Sequence, residues 1–365
     1  MVEREVIRRI IIEGQEFVNE ISLTERPFFF EQKGNYVFVG IRQAGKSYLL
    51  YQRIQQLLRE EHNINEIVYI NFDDERLRQM TADDLDLILQ AYHSLFDLRP
   101  LLFFDEIQNI EGWEHFARRL ANQKYNIYIT GSNAKMLSRE IATTLGGRFW
   151  NKDVYPYSFA EYLNARDIIL SKNWMYGKQA AEVSKAFNDY FLYGGFPELT
   201  DVIAKRVWLN DIYSKIFFSD LIVRNKVRNE EALGLLVRRL AENVKQPVSY
   251  TRLANLISSI GIKISKATVI EFIRYLKESC LIFPIENYAA KFAERNSNMK
   301  HYFIDNGLLS IFLLDGNTSL LENIVAIHLY KRYGAQLYFY NQNIEVDFII
   351  PEAKTAIQVS YSLMD

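Results

Sequence analysis

The sequence predicts an α/β fold with a parallel central sheet, and three observations carry that prediction. From residue 34 to about 155, short apolar runs alternate with helical segments, the pattern of strands joined by crossover helices. The first run passes through a glycine-rich turn directly into an amphipathic helix. A later run, Leu101-Leu-Phe-Phe, ends in the adjacent acids Asp105 and Glu106.

Taken in order, residues 1–33 read as an amphipathic helix and a connector, Leu23-Thr-Glu-Arg-Pro-Phe-Phe-Phe, into the core. Strands are expected at 36–39, 67–71, 101–104, 125–130 and roughly 149–154. From 156 to 230 the chain turns mainly helical, interrupted by the loop Tyr193-Gly-Gly-Phe-Pro-Glu198. A small helical module with a terminal strand pair follows to 295. The tail mixes strands at 301–304, 336–340, 345–350 and 356–360 with a helix near 319–333. The expected domains are therefore 1–33, 34–160, 161–230, 231–295 and 296–365.

The glycine-rich turn is G-x-x-x-x-G-K-S: Gly40, Ile41, Arg42, Gln43, Ala44, Gly45, Lys46 and Ser47, with Tyr48 opening the helix. This is the phosphate-cradling P-loop, or Walker A, motif in its required strand-to-helix setting. Glycines let the backbone wrap tightly round phosphate oxygens, and free N–H groups at the helix start point at the anion. Lys46 is expected to reach the β- and γ-phosphates of ATP, and Ser47 to ligate Mg²⁺.

A buried strand ending in Asp105-Glu106 places both carboxylates at the sheet edge where ligands bind in open α/β folds. Asp105 is expected to hold Mg²⁺, as in a Walker B strand, and Glu106 to polarise the attacking water. The intervening strand at 67–71 and the adjoining acids favour the P-loop group with an extra central strand and a catalytic glutamate. Asn71 is expected beside Glu106, either as a restraint on it or as a plain strand-end asparagine. Among Thr130, Ser132 and Asn133, one polar side chain is expected to meet the γ-phosphate or the water. Arg148, in Leu145-Gly-Gly-Arg148-Phe, is a candidate to neutralise transition-state charge in a neighbouring subunit, with Arg139 as a second. An ordinary surface arginine is the competing reading.

Composition bounds the rest. The 365 residues are 49% hydrophobic and 24% charged, ordinary for a globular protein of two to three domains. Net charge is −2, so any nucleic-acid contact must be local. A single cysteine, Cys280, excludes an internal disulfide and a multi-cysteine metal site, and is expected in the core. The amphipathic N-terminus lacks a signal-peptide profile and no apolar run is long enough to span a membrane. A cytoplasmic protein is expected.

The P-loop, Asp105-Glu106, Thr130-Gly-Ser132 and Gly147-Arg148 together resemble the AAA-type ATPases of bacteria and archaea. Three further blocks narrow the likeness: Tyr155-Pro-Tyr-Ser-Phe-Ala-Glu161-Tyr-Leu, Gly194-Gly195-Phe-Pro197 and Ile304-Asp305-Asn-Gly307-Leu308. They resemble the family whose ATPase core is joined to a C-terminal domain of unknown function. The resemblance implies a P-loop NTPase core over 34–160, a helical lid over 161–230, a winged helix over 231–295 and a restriction-endonuclease-like α/β domain over 296–365.

Two short helices, the second capped by Ser265 and apolar at Val269, Phe272, Ile273 and Leu276, match a winged helix-turn-helix. The local charge over 245–280 is +4, which permits contact with a DNA backbone, though such modules also bind proteins. In the tail, Glu322 and Asp347 match the acids of a metal-dependent nuclease core. Gln358 stands where the second acid of the strand belongs and Ser360 where the lysine belongs, so nuclease activity is not expected. Such a fold continues past this strand, so a truncated C-terminal domain is expected from a chain stopping at Asp365. The expected function is ATP hydrolysis coupled to modules that contact DNA or a protein partner; the alternative is a slowly hydrolysing, nucleotide-gated switch. A neighbouring subunit, and so an oligomer, is implied if Arg148 acts in trans.

Overall fold

In this computed structural model the residues described are 2–31, 33–137, 139–291, 295, 297–314 and 316–361. The chain forms two compact units, Met1–Val154 and Tyr155–Asp365.

The first unit is built on five strands: β1 (Asn35–Val39), β2 (Ile67–Asn71), β3 (Leu101–Asp105), β4 (Asn126–Gly131) and β5 (Phe149–Asp153). All pair in parallel, in the order β2-β3-β4-β1-β5. The strand inserted between the P-loop strand β1 and the acidic strand β3 is therefore β4. The first four strands are nearly continuous apolar runs because helices cover both faces of a parallel sheet. Strand β5 lies at the edge and exposes Trp150. On one face the rings of Tyr36, Tyr128 and Phe103 stack across three strands, with interplanar angles of 7° and 6°. Each such ring, wholly buried, contributes on the order of 2 kcal/mol.

Helix α1 (Arg4–Glu20) lays Ile7, Ile10, Ile11 and Val18 inward, and Gln15 Nε2 donates to the Ile67 carbonyl at 2.8 Å. Helix α2 (Lys46–Arg59) follows the P-loop and buries Leu49, Leu50, Ile54 and Leu57. Three further helices, α3 (Asp86–His93), α4 (Trp113–Asn122) and α5 (Arg139–Leu145), complete this unit. The connector after α1 is pinned to α2 by paired bonds of 2.9 Å between the Arg26 backbone and the Gln52 amide.

The second unit carries the helices α6 (Phe159–Ala165), α7 (Gln179–Tyr193), α8 (Lys205–Lys215) and α9 (Glu230–Glu242). Next come β6 (Val248–Ser249), α10 (Tyr250–Ser258), α11 (Lys266–Glu278), β7 (Ile282–Asn287) and β8 (Asn298–Phe303). Ser265 caps α11 by accepting from Thr268 N at 3.0 Å, and Val269, Phe272, Ile273 and Leu276 are buried along one face. Cys280 is half-buried rather than in the core; its left-handed backbone, φ 57°, ends α11 and turns the side chain partly outward.

The unit closes with α12 (Asn306–Ser310), α13 (Asn317–Tyr333), β9 (Tyr338–Asn341), β10 (Glu345–Ile350) and β11 (Thr355–Ile357). Its six strands run β11-β10-β9-β7-β8-β6. Strands β7 and β9 are parallel and the other neighbours antiparallel.

Candidate nucleotide site

The carboxyl ends of β1, β3 and β4 converge at one edge of the parallel sheet, and the candidate residues follow them. Gly40 leaves β1 so close to the Val154 carbonyl oxygen that a Cβ there would collide with it. Gly45, at φ 90°, turns the chain into α2. Ile41 and Ala44 are buried and present backbone rather than side chain to the loop; Arg26 Nη1 donates to the Ala44 carbonyl at 3.1 Å. Gln43 is left-handed at φ 60°. Tyr48 keeps about half its ring exposed and packs edge-on to Tyr51.

Lys46 is 4% exposed, and its ammonium donates to the Gly40 and Ile41 carbonyls at 3.1 Å each. Glu106 Oε1 lies 3.6 Å from the same ammonium. The P-loop cation and the β3 acid are thus brought together.

Asp105 is 1% exposed and surrounded by hydroxyls. Tyr69 OH donates to its Oδ2 at 2.8 Å, Thr130 Oγ1 donates to its Oδ1, and Ser47 bonds it as well. Burial and then the charge of Glu106 push the Asp105 carboxyl above its usual range, against those three bonds. The buried Tyr69 hydroxyl is itself pushed far up, by burial and then by Asp105, so it remains a donor. Tyr51 OH continues the chain, 2.9 Å from Tyr69 OH.

Glu106 has a left-handed backbone, φ 52°, an uncommon conformation for a side chain of this size. It turns the chain out of β3 and swings the carboxylate toward Lys46. Its N–H donates to Thr130 Oγ1 at 3.0 Å. Burial works to raise the Glu106 pKa, but the Lys46 charge and the bonds from Gln108 and Ser132, with Arg42 nearby, bring it below the ordinary value. Gln108 Nε2 donates to Glu106 Oε2 and lies 3.4 Å from Ser132 Oγ. Gln108 Oε1 is buried and has no partner among the described residues.

The structure therefore gathers Lys46, Ser47, Asp105, Glu106, Thr130 and Ser132. Asn71 pairs in register with Asp105, but its side-chain oxygen accepts from Asp73 N at 2.9 Å. This short Asx turn is satisfied locally, and the restraint on Glu106 comes from Gln108 and Ser132. Arg148 does not join the cluster. It precedes β5 beside Asn35, at the amino ends of the strands, and its Nη1 donates to the Gly146 carbonyl at 3.0 Å. One strand length, about 15 Å, separates it from the P-loop. The Arg139 side chain lies outside what the structure describes.

Sequence reasoning missed Gln108, Tyr69 and Tyr51. Gln108 stands two residues past Glu106 in a short 3₁₀ turn, and only the left-handed Glu106 brings the two side chains together. Tyr69 faces Asp105 through parallel β2–β3 pairing, which a single strand does not announce.

The donor set fits a nucleotide and its metal. Mg²⁺ is a hard cation that takes oxygen ligands, and Ser47 and Asp105 already meet through oxygen. The Lys46 ammonium and the backbone turn of the P-loop fit a polyphosphate.

A family model described as an AAA domain matches residues 32–163, and one described as a domain of unknown function (DUF8612) matches 184–319. The uncharacterized protein MJ1544 of Methanocaldococcus jannaschii is 32% identical over 375 residues, covering 100% of this chain and 83% of that protein. An uncharacterized protein of Haemophilus influenzae is 30% identical over 332 residues, covering 88% of this chain and 81% of its own length. Among solved structures, the Walker-type ATPase paby2304 of Pyrococcus abyssi superposes with a TM-score of 0.47 at 13% identity, over 86% of this chain and 96% of that one. The chain belongs, with MJ1544, to one family of proteins built on an AAA-type P-loop ATPase domain.

Proposed function

We propose that this protein binds ATP and hydrolyses it to ADP and phosphate at the P-loop site. The observation that carries the reading is the buried contact of Lys46 with Glu106 at 3.6 Å, beside the hydroxyl-ringed Asp105. A bound triphosphate offers the ammonium stronger acceptors than the Gly40 and Ile41 carbonyls and draws it onto the β- and γ-oxygens. Mg²⁺, held by Ser47 and Asp105, would supply charge neutralisation across those oxygens. Glu106, kept ionised by its donors, takes a proton from the attacking water. The new bond forms from water oxygen to the γ-phosphorus as the bond to the β-phosphate oxygen breaks.

A second reading has its own support. Glu106 is tied on one side by Lys46 and on the other by Gln108, which suits a nucleotide-gated switch that hydrolyses slowly until a partner frees the glutamate. The stretch 245–280, which contains α10 and α11 and carries a local charge of +4, suits contact with duplex DNA by that partner-sensing part of the chain. Steady-state ATP turnover with and without duplex DNA separates the readings. Turnover raised several-fold by DNA supports a DNA-coupled ATPase. Tight ATP binding with negligible turnover in both arms supports the switch and contradicts the first reading.

A further inference from the structure

The sequence pairs Glu322 with Asp347 as a candidate metal-holding set and supplies no lysine next to them along the chain. In space a lysine is present. Lys300, central in β8 and fully buried, lies with its ammonium 3.2 Å from Glu322 Oε1 and 3.4 Å from Asp347 Oδ1. Glu345 Oε1 approaches from the rim at 3.4 Å. The three carboxylates face a cavity of about 680 Å³ that Lys245, Gln358 and Ser360 also line.

We infer that the Lys300 ammonium occupies the cation position of this acidic cleft, so that the cleft binds no divalent ion. The donor set argues it. Glu322 Oε1 accepts from Tyr302 OH at 2.6 Å as well as from Lys300. Asp347 Oδ2 accepts from Val359 N at 2.8 Å, so both oxygens of that carboxylate are engaged. Gln358, at the position of an acid, accepts from Asp347 N at 3.4 Å and brings no charge.

A divalent ion held between these acids at roughly 2.1–2.5 Å would sit within a few ångströms of an ammonium that has no exposed surface through which to leave. Burial of the ion pair also fixes α13, β8 and β10 to one another, since each supplies one member. With three acids against two lysines the cavity keeps negative character, which disfavours a phosphodiester backbone. The acidic pair of this family member thus reads as an internal tie, not as a nuclease centre.

Titration calorimetry of the full chain with Mn²⁺ alone, without nucleotide, tests this. Wild type should show no saturable binding at the cleft up to about 1 mM. Lys300→Ala leaves two buried carboxylates uncompensated and should gain Mn²⁺ affinity at least about tenfold. Lys300→Met preserves the side-chain bulk and gives the same reading should the alanine variant not fold. Wild-type binding that survives Glu322→Gln belongs to another site and leaves the inference standing. Wild-type binding lost in Glu322→Gln overturns it, as does a folded Lys300 variant that gains no affinity. Loss of wild-type binding in Glu322→Gln overturns the inference whether or not either Lys300 variant folds.

Discussion

Glu106 shows how one side chain is prepared by its neighbours. Lys46 holds the carboxylate from one side, Gln108 and Ser132 from the other, and together they keep its pKa below the ordinary value despite burial. Gln108 is thus a positioning residue, and Gln108→Ala removes a donor that favours the ionised form. The Glu106 pKa should then rise, moving the acid limb of the kcat–pH profile to higher pH. We expect kcat to fall roughly tenfold with ATP affinity unchanged. An unmoved acid limb would show that Gln108 only fills space. At this scale the sequence marked Lys46, Ser47, Asp105 and Glu106 through their motifs, and the structure brings those side chains together. The sequence could not disclose Gln108, Tyr69 or Lys300, because their roles depend on a left-handed residue or on which strands become neighbours.

Among the elements, the three motif blocks of the second unit prove to be one structure. Asp305 caps α12 through Gly307 N at 2.8 Å and Leu308 N at 3.3 Å, and also accepts from Gly195 N at 2.7 Å. Tyr157 N in turn donates to the Gly195 carbonyl at 2.6 Å, drawing the third block into the same place. Burial pushes the Asp305 carboxyl up to about 6 from 3.8, with the three N–H bonds and Lys331 opposing. A raised folded pKa means that the native state holds the proton more tightly than the unfolded chain. That stabilising contribution is complete below about pH 4 and is lost as pH rises through 6. Relative to Asp305→Asn, whose side chain does not titrate, wild-type stability should fall by roughly 2 kcal/mol between pH 4 and pH 7. Urea unfolding of both chains across that range measures it; a difference independent of pH would contradict the burial argument.

Helix α11 was legible from its cap and spacing, since both are local properties. The π-helical stretch Ile216–Val223 was not, because Ile-Phe-Phe-Ser-Asp-Leu-Ile-Val offers no helical period to read. Its wider turn is set by the packing around it.

Over the whole molecule, the first unit was legible almost strand by strand. Its parallel sheet needs continuous apolar strands and crossover helices, and both leave a clear trace in sequence. The strand order was less legible: β4 separates β1 from β3 because of pairings between distant segments. In the second unit the strands of the tail were foreseen, while their union with β6, β7 and β8 in one six-stranded sheet was not.

Catalysis at the P-loop site is decided by ATP turnover of wild type and Glu106→Gln, each measured beside its own ATP affinity. Wild type should release phosphate with many turnovers per chain. Glu106→Gln should bind ATP as tightly and lose on the order of a hundredfold or more in turnover. Equal turnover by the two proteins, or no ATP binding by wild type in the presence of Mg²⁺, would contradict it.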